Sequence, residues 1–202
     1  MHKIYTFTPA GYFGANTYVI ECGSEYAVVD PAVGYREVLK SLPECEGKIK
    51  YILLTHAHFD HILKIDEWVG ASTEVYIGER DREALADPYR NCYLGFFGTN
   101  EGYFGKVLGV KNADEIPLGN SVIRVIECPG HTPGGVGYVI GSDLIIGDTL
   151  FAEGGYGRCD LPGGDMHALA DTLGILFSFT EDYTLYPGHG AITTLKETKK
   201  YF

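Results

Sequence analysis

The sequence predicts an α/β fold in which strands and helices alternate along the chain. Short apolar runs rich in β-branched and aromatic residues recur between turn residues, a pattern typical of buried strands. Segments with helical periodicity separate several of these runs, and no Pro-, Gly- or Ser-rich linker divides them. We therefore expect residues 1–202 to form a single domain with mixed sheets.

The first half of the chain contains closely spaced elements. A Gly-Ser turn separates NTYVIEC from EYAVVDP, which predicts a β-hairpin. A helix over about residues 35–41 stops at Pro43, and a buried strand, KIKYILL, follows over residues 48–54. A short amphipathic helix is expected after Asp60, then a strand in TEVYIG and a helix over GERDREALAD.

The second half begins with an aromatic-rich segment at about residues 88–106. Its core, PYRNCYLGFFGTNEGYFG, contains six aromatic residues and four glycines. This composition predicts an insertion loop that acts as a lid or binding loop, or that packs on the surface of the domain. Strands are then expected in SVIRVIECPG, GVGYVIG and DLIIGDTLF. A helix over about residues 165–179, a short strand in TLYPGHG and a charged terminal helix follow.

The charge and the cysteines restrict partners and location. Sixteen basic and 27 acidic side chains give a formal net charge of -11, which disfavours nucleic acid and anionic membranes as partners. No run approaches the roughly 18 apolar residues that span a bilayer, and the N-terminal residues lack the apolar core of a signal peptide. Five widely spaced cysteines without a Cys-x-x-Cys pair indicate reduced thiols in a cytoplasm. The oligomeric state stays open.

Four potential metal ligands lie within six residues. His56, His58, Asp60 and His61 form the pattern His-x-His-x-Asp-His at the end of an expected strand. Alternate residues of a strand point the same way, and the turn into a helix presents the last two side chains from another direction. One tetrahedral ion cannot use all four if distant ligands also join. The cluster therefore predicts two neighbouring ions.

Three further candidates follow apolar runs and lie next to glycine. They are His131 in CPGHTPGG, Asp148 in IIGDTLF and His189 in LYPGHG. Imidazole and carboxylate ligands favour two divalent ions, with zinc preferred and iron or manganese also suitable. The five histidines and two aspartates suffice for two ions if one carboxylate is shared.

The motifs THAHFDH, PGHTPGG, GDTLF and PGHG, in this order, resemble the metallo-β-lactamase superfamily. The longer run GDTLFAEGGYGRCDLPGGD is similar to the small bacterial glyoxalase II-like group, the hydroxyacylglutathione hydrolases. The resemblance implies a four-layered αβ/βα sandwich with the metals at one edge. It assigns the ligands to two ions: His56, His58 and His131 to the first, Asp60, His61 and His189 to the second, and Asp148 to both.

The same resemblance implies a small-molecule substrate, a thioester of the S-D-lactoylglutathione type. A metal-bound hydroxide would attack the acyl carbonyl, and Asp60 would serve as a catalytic residue that orients it. Classical glyoxalase II enzymes hold glutathione partly with a C-terminal helical domain, which we do not expect here because about a dozen residues follow His189. Arg158 and Tyr156 are therefore the expected substrate contacts.

Alternatives remain within and outside the superfamily. A persulfide dioxygenase would use a single iron with two histidines and a carboxylate. A lactonase or another ester hydrolase would use the same hydroxide. Zinc β-lactamases of the commonest type carry cysteine where this chain has Asp148, which disfavours them. A non-catalytic metal-binding protein is disfavoured because structural zinc sites are usually closed and rich in cysteine.

Overall fold

The computed structural model describes residues 1–11 and 14–202 and contains two six-stranded sheets within them. In spatial order the first sheet consists of β1 (Lys3–Phe7), β2 (Thr17–Cys22), β3 (Glu25–Val29), β4 (Ile49–Leu54), β5 (Glu74–Gly78) and β6 (Leu108–Val110). In chain order the second consists of β7 (Glu115–Leu118), β8 (Ser121–Glu127), β9 (Val136–Ile140), β10 (Asp143–Gly147), β11 (Thr184–Pro187) and β12 (Thr193–Thr194). Both sheets are mixed: β3 to β6 run parallel, as do β10 and β11.

Helices cover the outer face of each sheet. They are α1 (Tyr35–Val38), α2 (Phe59–Ile62), α3 (Ile65–Trp68), α4 (Tyr93–Phe97), α5 (Met166–Phe177) and α6 (Leu195–Lys199). The first four pack on the first sheet through a core that includes Val28, Ile52 and Trp68, and α5 and α6 pack on the second. The inner faces meet in a separate core around Tyr18 and Tyr138. This arrangement confirms the four-layered αβ/βα sandwich.

Alternation of side chains along each strand builds these layers. In β4, Ile52 and Leu54 belong to the helix-covered core, whereas Tyr51 and Leu53 belong to the core between the sheets. Both faces of this strand are buried, which explains its nearly continuous apolar sequence. The strand therefore holds the loop that follows Leu54 rigidly at the edge of the sandwich.

Three sequence expectations need correction. The prediction of a helix over GERDREALAD is wrong, because the segment forms two 3₁₀ turns, Glu79–Asp81 and Glu83–Ala86. These turns direct the Asp81 carboxylate inward, where it accepts a hydrogen bond from Gly134 N at 2.8 Å. The single helix after Asp60 is two helices, α2 and α3, because the amide of Lys64 donates to Pro31 O at 2.9 Å outside the helix. The aromatic-rich segment also contains a helix, α4. None of the helices in the described residues is both long and apolar enough to cross a bilayer.

Candidate metal centre

The His-x-His-x-Asp-His motif lies where β4 passes into α2. His56 and His58 occupy the loop after the strand, and both side chains are buried. Asp60 and His61 lie on α2, so they approach the same space from the helix. The backbone is anchored on both sides of this turn, because Phe59 N donates to Asn91 O at 2.9 Å and Ala15 N donates to Asp60 O at 3.2 Å.

The structure brings the other three candidates to the same edge. His131 lies in the loop after β8, Asp148 directly follows β10, and His189 follows β11. Nδ1 of His58 lies 2.9 Å from Nε2 of His131. Nε2 of His189 lies 3.1 Å from Oδ2 of Asp60. All seven side chains therefore surround one space.

Asp148 lies between two groups of histidines. Its Oδ1 is 3.3 Å from Nε2 of His61, and its Oδ2 is 3.6 Å from Nε2 of both His131 and His189. The backbone leaves room for this carboxylate only because residue 188 is glycine, where a Cβ atom would overlap Asp148 Oδ1.

The seven side chains form overlapping groups that can each hold a metal ion. Within each group the potential ligand atoms all lie within 4.8 Å of one another. The groups are His56, His58 and His131; His56, His61 and Asp148; and Asp60, His61 and His189. The first and third groups correspond to the two ligand sets that the resemblance implies, and their role as ligands stays a prediction.

Several buried atoms of the cluster lack a hydrogen-bond partner, as expected of ligands. They include Nε2 of His56, Nε2 of His61 and Oδ1 of Asp148. A buried polar atom without a partner costs about 1–3 kcal/mol, so such atoms are rare outside functional sites. Divalent cations would satisfy them, and the donor set of imidazole and carboxylate suits zinc, iron or manganese. The residues therefore fit a divalent metal centre.

Burial keeps two of the histidines in the neutral form that metal binding needs. Burial and the neighbouring His131 lower the pKa of His58 to about 3, and burial lowers the pKa of His56 well below its usual range. Both imidazoles are therefore neutral at pH 7, which is the ligating form. For His61, burial lowers the pKa, but the carboxylates of Asp30, Asp148 and Asp60 outweigh this effect and raise the pKa well above its usual range. Burial raises the pKa of Asp148, but His61 and the other histidines lower it more, so that carboxylate is ionised.

A buried carboxylate that the sequence reasoning missed orients His61. Asp30 accepts hydrogen bonds from Thr55 N at 2.8 Å, Thr55 Oγ1 at 2.7 Å and His61 Nδ1 at 2.8 Å. Because Nδ1 of His61 is occupied in this way, its Nε2 faces the metal centre. The position of Asp30 directly after the strand-like run AVV is the signal that could have found it.

The backbone of Arg158 has the same effect on His131. Its carbonyl oxygen lies 2.7 Å from Nδ1 of His131, which leaves Nε2 for the centre. The approach requires glycine at position 157, where a Cβ atom would lie 2.6 Å from His131 Nδ1. The segment that includes Tyr156 and Arg158 is thus held against the metal centre by its main chain.

A cavity of about 340 Å³ opens on the metal centre. Arg158 and Tyr156, the expected substrate contacts, both line it. The Arg158 guanidinium also pairs with Asp160 through Nε to Oδ1 at 2.7 Å and Nη2 to Oδ2 at 2.8 Å. The sequence reasoning missed most of the apolar lining, which comprises Phe59, Cys92, Phe96, Phe151 and Leu161.

Comparison with known proteins agrees with this arrangement. Residues 10–189 match the family model described as the metallo-beta-lactamase superfamily. The chain belongs to this superfamily. A probable metallo-hydrolase of Streptococcus pyogenes is 31% identical over 196 residues, which cover 92% of this chain and 83% of that protein. The site and these relationships identify the chain as a metal-dependent hydrolase of the superfamily.

Two solved structures show close similarity in fold. The B3 metallo-beta-lactamase BLEG-1 superposes with a TM-score of 0.86 at 28% identity, covering 98% of this chain and 97% of that one. The protein TTHA1623, solved in a di-iron-bound form, superposes with a TM-score of 0.81 at 28% identity, covering 97% of both chains.

Proposed function

We propose that this protein hydrolyses a glutathione thioester of a hydroxy acid, of the S-D-lactoylglutathione type, with two divalent ions. The observation that carries the proposal is the position of Asp148: its Oδ2 lies 3.6 Å from both His131 of the first ligand group and His189 of the third, and its Oδ1 faces His61 of the third. A carboxylate so placed suits a pair of ions that share one ligand. Zinc is the expected metal, and the di-iron form of TTHA1623 makes iron the main competitor.

When bound, two such cations lower the pKa of a water molecule toward neutrality and polarise an acyl carbonyl. Asp60 lines the cavity, and His61 and His189 keep the pKa of its carboxyl below the usual value despite the opposing effect of burial. Its ionised carboxylate can therefore accept a hydrogen bond from water and orient it. A thiolate leaves without prior protonation, so no acidic side chain is required of the protein.

The cavity supports a small-molecule substrate. Arg158 lies at its exposed side, where it can contact a carboxylate of glutathione in exchange for Asp160. The net charge of -11 disfavours nucleic acid and anionic membranes. The five free cysteines suit a reducing cytoplasm, where glutathione is available.

Metal analysis combined with a substrate panel tests the proposal. We expect two ions per chain and hydrolysis of S-D-lactoylglutathione, with the Asp148→Asn variant losing both properties. The panel includes a chromogenic β-lactam, because the similarity to BLEG-1 favours β-lactam hydrolysis as the second candidate. It also includes a lactone and glutathione persulfide. Cleavage of the β-lactam or lactone alone, or oxygen uptake by a protein with one iron, would refute thioester hydrolysis.

A further inference from the structure

Aromatic side chains form a wall of the cavity directly beside the metal centre. Phe59 lies between His58 and Asp60 in sequence, and its ring centroid is 5.0 Å from that of Phe96. We call Phe59, Cys92 and Phe96 the aromatic wall, since all three line the cavity together with His58 and Asp60. A group attached to a carbonyl at the metal centre can therefore contact this wall.

The aromatic wall is held in place by a buried side chain. Asn91 is fully buried, and its Nδ2 donates to Leu85 O and Glu101 O, both at 3.1 Å. Its Oδ1 accepts from Tyr93 N at 3.0 Å, and its backbone oxygen accepts from Phe59 N at 2.9 Å. These bonds hold the two ends of the segment 91–101 together and join the segment to the start of α2. The wall is therefore preformed, which reduces the entropic cost of binding against it.

Positively charged side chains offer little to a polar acyl group on this side. Among the described residues that line the cavity, Arg158 is the only arginine or lysine, and it pairs with Asp160 in a two-bond contact. Phe59 and Cys92 expose only 4% and 3% of their surface, so they are shielded from bulk water, whereas the ring of Phe96 is 44% exposed and accessible to a substrate. Such a surface favours apolar groups.

We propose that the aromatic wall selects thioesters whose acyl group carries an aromatic or branched apolar substituent next to the carbonyl. The inference rests on the proposed thioester hydrolysis and specifies its substrate class. S-Mandeloylglutathione and S-D-lactoylglutathione form a matched pair of probes. With the mandeloyl group also in the D configuration, both are glutathione thioesters of 2-hydroxy acids, and they differ only in a phenyl group in place of a methyl group.

The expected preference follows from the added apolar contact. A single methylene in an apolar pocket changes kcat/KM by roughly 10–200-fold. We therefore expect kcat/KM for the mandeloyl thioester to exceed that for the lactoyl thioester by at least about 10-fold. Phe96→Ala should reduce this ratio by about fivefold or more, because an aromatic pair contributes beyond area burial. The lactoyl value should fall by a smaller factor than the mandeloyl value, since a methyl group gains less from that ring than a phenyl group does.

Phe104→Ala is the matched control, because Phe104 belongs to the same aromatic-rich segment, is 73% exposed and does not line the cavity. It should leave the ratio unchanged. A ratio near one in the unmodified protein would overturn the inference. Equal losses for both substrates in Phe96→Ala, or a loss of preference in Phe104→Ala, would also overturn it.

A binding measurement separates this inference from the proposed function. S-Benzylglutathione and S-methylglutathione are thioethers that cannot be hydrolysed, so calorimetry can compare them with the protein in its metal-free form. Tighter binding of the benzyl compound by about 10-fold, lost in Phe96→Ala, would support the aromatic wall even if no thioester were cleaved. Equal affinities combined with hydrolysis of both thioesters would retain the proposed function and reject the inference.

Discussion

Replacing Asp30 tests how the protein controls the ring nitrogen that His61 presents to metal. Asp30 is 1% exposed, and its carboxylate is the acceptor for Thr55 N, Thr55 Oγ1 and His61 Nδ1. Asp30→Ala would leave three buried donors without an acceptor, at about 1–3 kcal/mol each. The three costs together are comparable with the free energy of unfolding of a typical domain, about 5–15 kcal/mol. We therefore expect Asp30→Ala to fold poorly.

Asp30→Asn is the more informative variant. Asparagine tolerates the left-handed backbone at this position, where φ is 50°. Thr55 N can only donate, so the amide oxygen of the new asparagine must face Thr55 N. Its NH₂ group then faces the Thr55 hydroxyl and His61 Nδ1. The hydroxyl can rotate to accept. The imidazole can accept only if its proton moves to Nε2, the nitrogen that lies 3.3 Å from Asp148 Oδ1.

We expect Asp30→Asn to cost about 1–3 kcal/mol in the free energy of unfolding. It should weaken the binding of one of two metal ions by roughly 10–100-fold, as for other partners of metal-ligating histidines. Urea denaturation of the metal-free protein measures the first effect, and Zn²⁺ titration against a chromophoric chelator measures the second. Long-range ¹H–¹⁵N spectra report the His61 tautomer directly. Unchanged metal affinities together with an unprotonated Nε2 in the variant would refute the reasoning.

Asp114→Asn is the control for this and the following variants, because its exposed carboxylate accepts only a local turn bond from Lys111 N. Asp148→Asn should bind fewer than two ions and lose at least about 100-fold in kcat/KM, since a direct ligand matters at least as much as its supporting partners. Atomic absorption measures the metal content, and thioester kinetics measure kcat/KM. Two retained ions would contradict the shared role of Asp148. Asp81→Ala should lower the free energy of unfolding by about 1–3 kcal/mol in urea denaturation, because the amide of Gly134 loses its buried acceptor. Stability equal to that of the control would count against it. Asn91→Ala should reduce the preference for the mandeloyl over the lactoyl thioester, while the metal content stays at the level of the unmodified protein. A fully retained preference would show that the hydrogen bonds of Asn91 do not position the aromatic wall.

Local motifs made most of the centre predictable from sequence. The four ligand candidates between His56 and His61 lie within six residues, so their proximity needs no knowledge of the fold. His131, Asp148 and His189 each follow an apolar strand and lie next to glycine, which places them at an edge of a sheet. The strand pattern likewise predicted the α/β class, because alternation and β-branched residues are visible in a single segment.

Residues whose function depends on long-range pairing could not be predicted in this way. Asp30 reaches Thr55 only because β3 and β4 run parallel, with Val29 paired to Leu53. Asn91 acts through carbonyl and amide groups of other segments, which carry no side-chain signature. The short strands β1, β6 and β7 were missed because they are edge or near-edge strands with partly exposed sequences. The Asp81 segment has a helical pattern, but the contact with Gly134 favours tighter turns.

Buried atoms without hydrogen-bond partners in the metal centre explain why the residues around the centre hold its histidines by hydrogen bonds. Nε2 of His56 and of His61 and Oδ1 of Asp148 lack partners, and each such atom costs about 1–3 kcal/mol in the absence of a ligand. Unsupported imidazoles would avoid that cost by rotating outward or by exchanging tautomers. The bonds from His61 Nδ1 to Asp30 and from His131 Nδ1 to the Arg158 carbonyl oppose both movements. We therefore expect metal binding both to satisfy these atoms and to stabilise the fold.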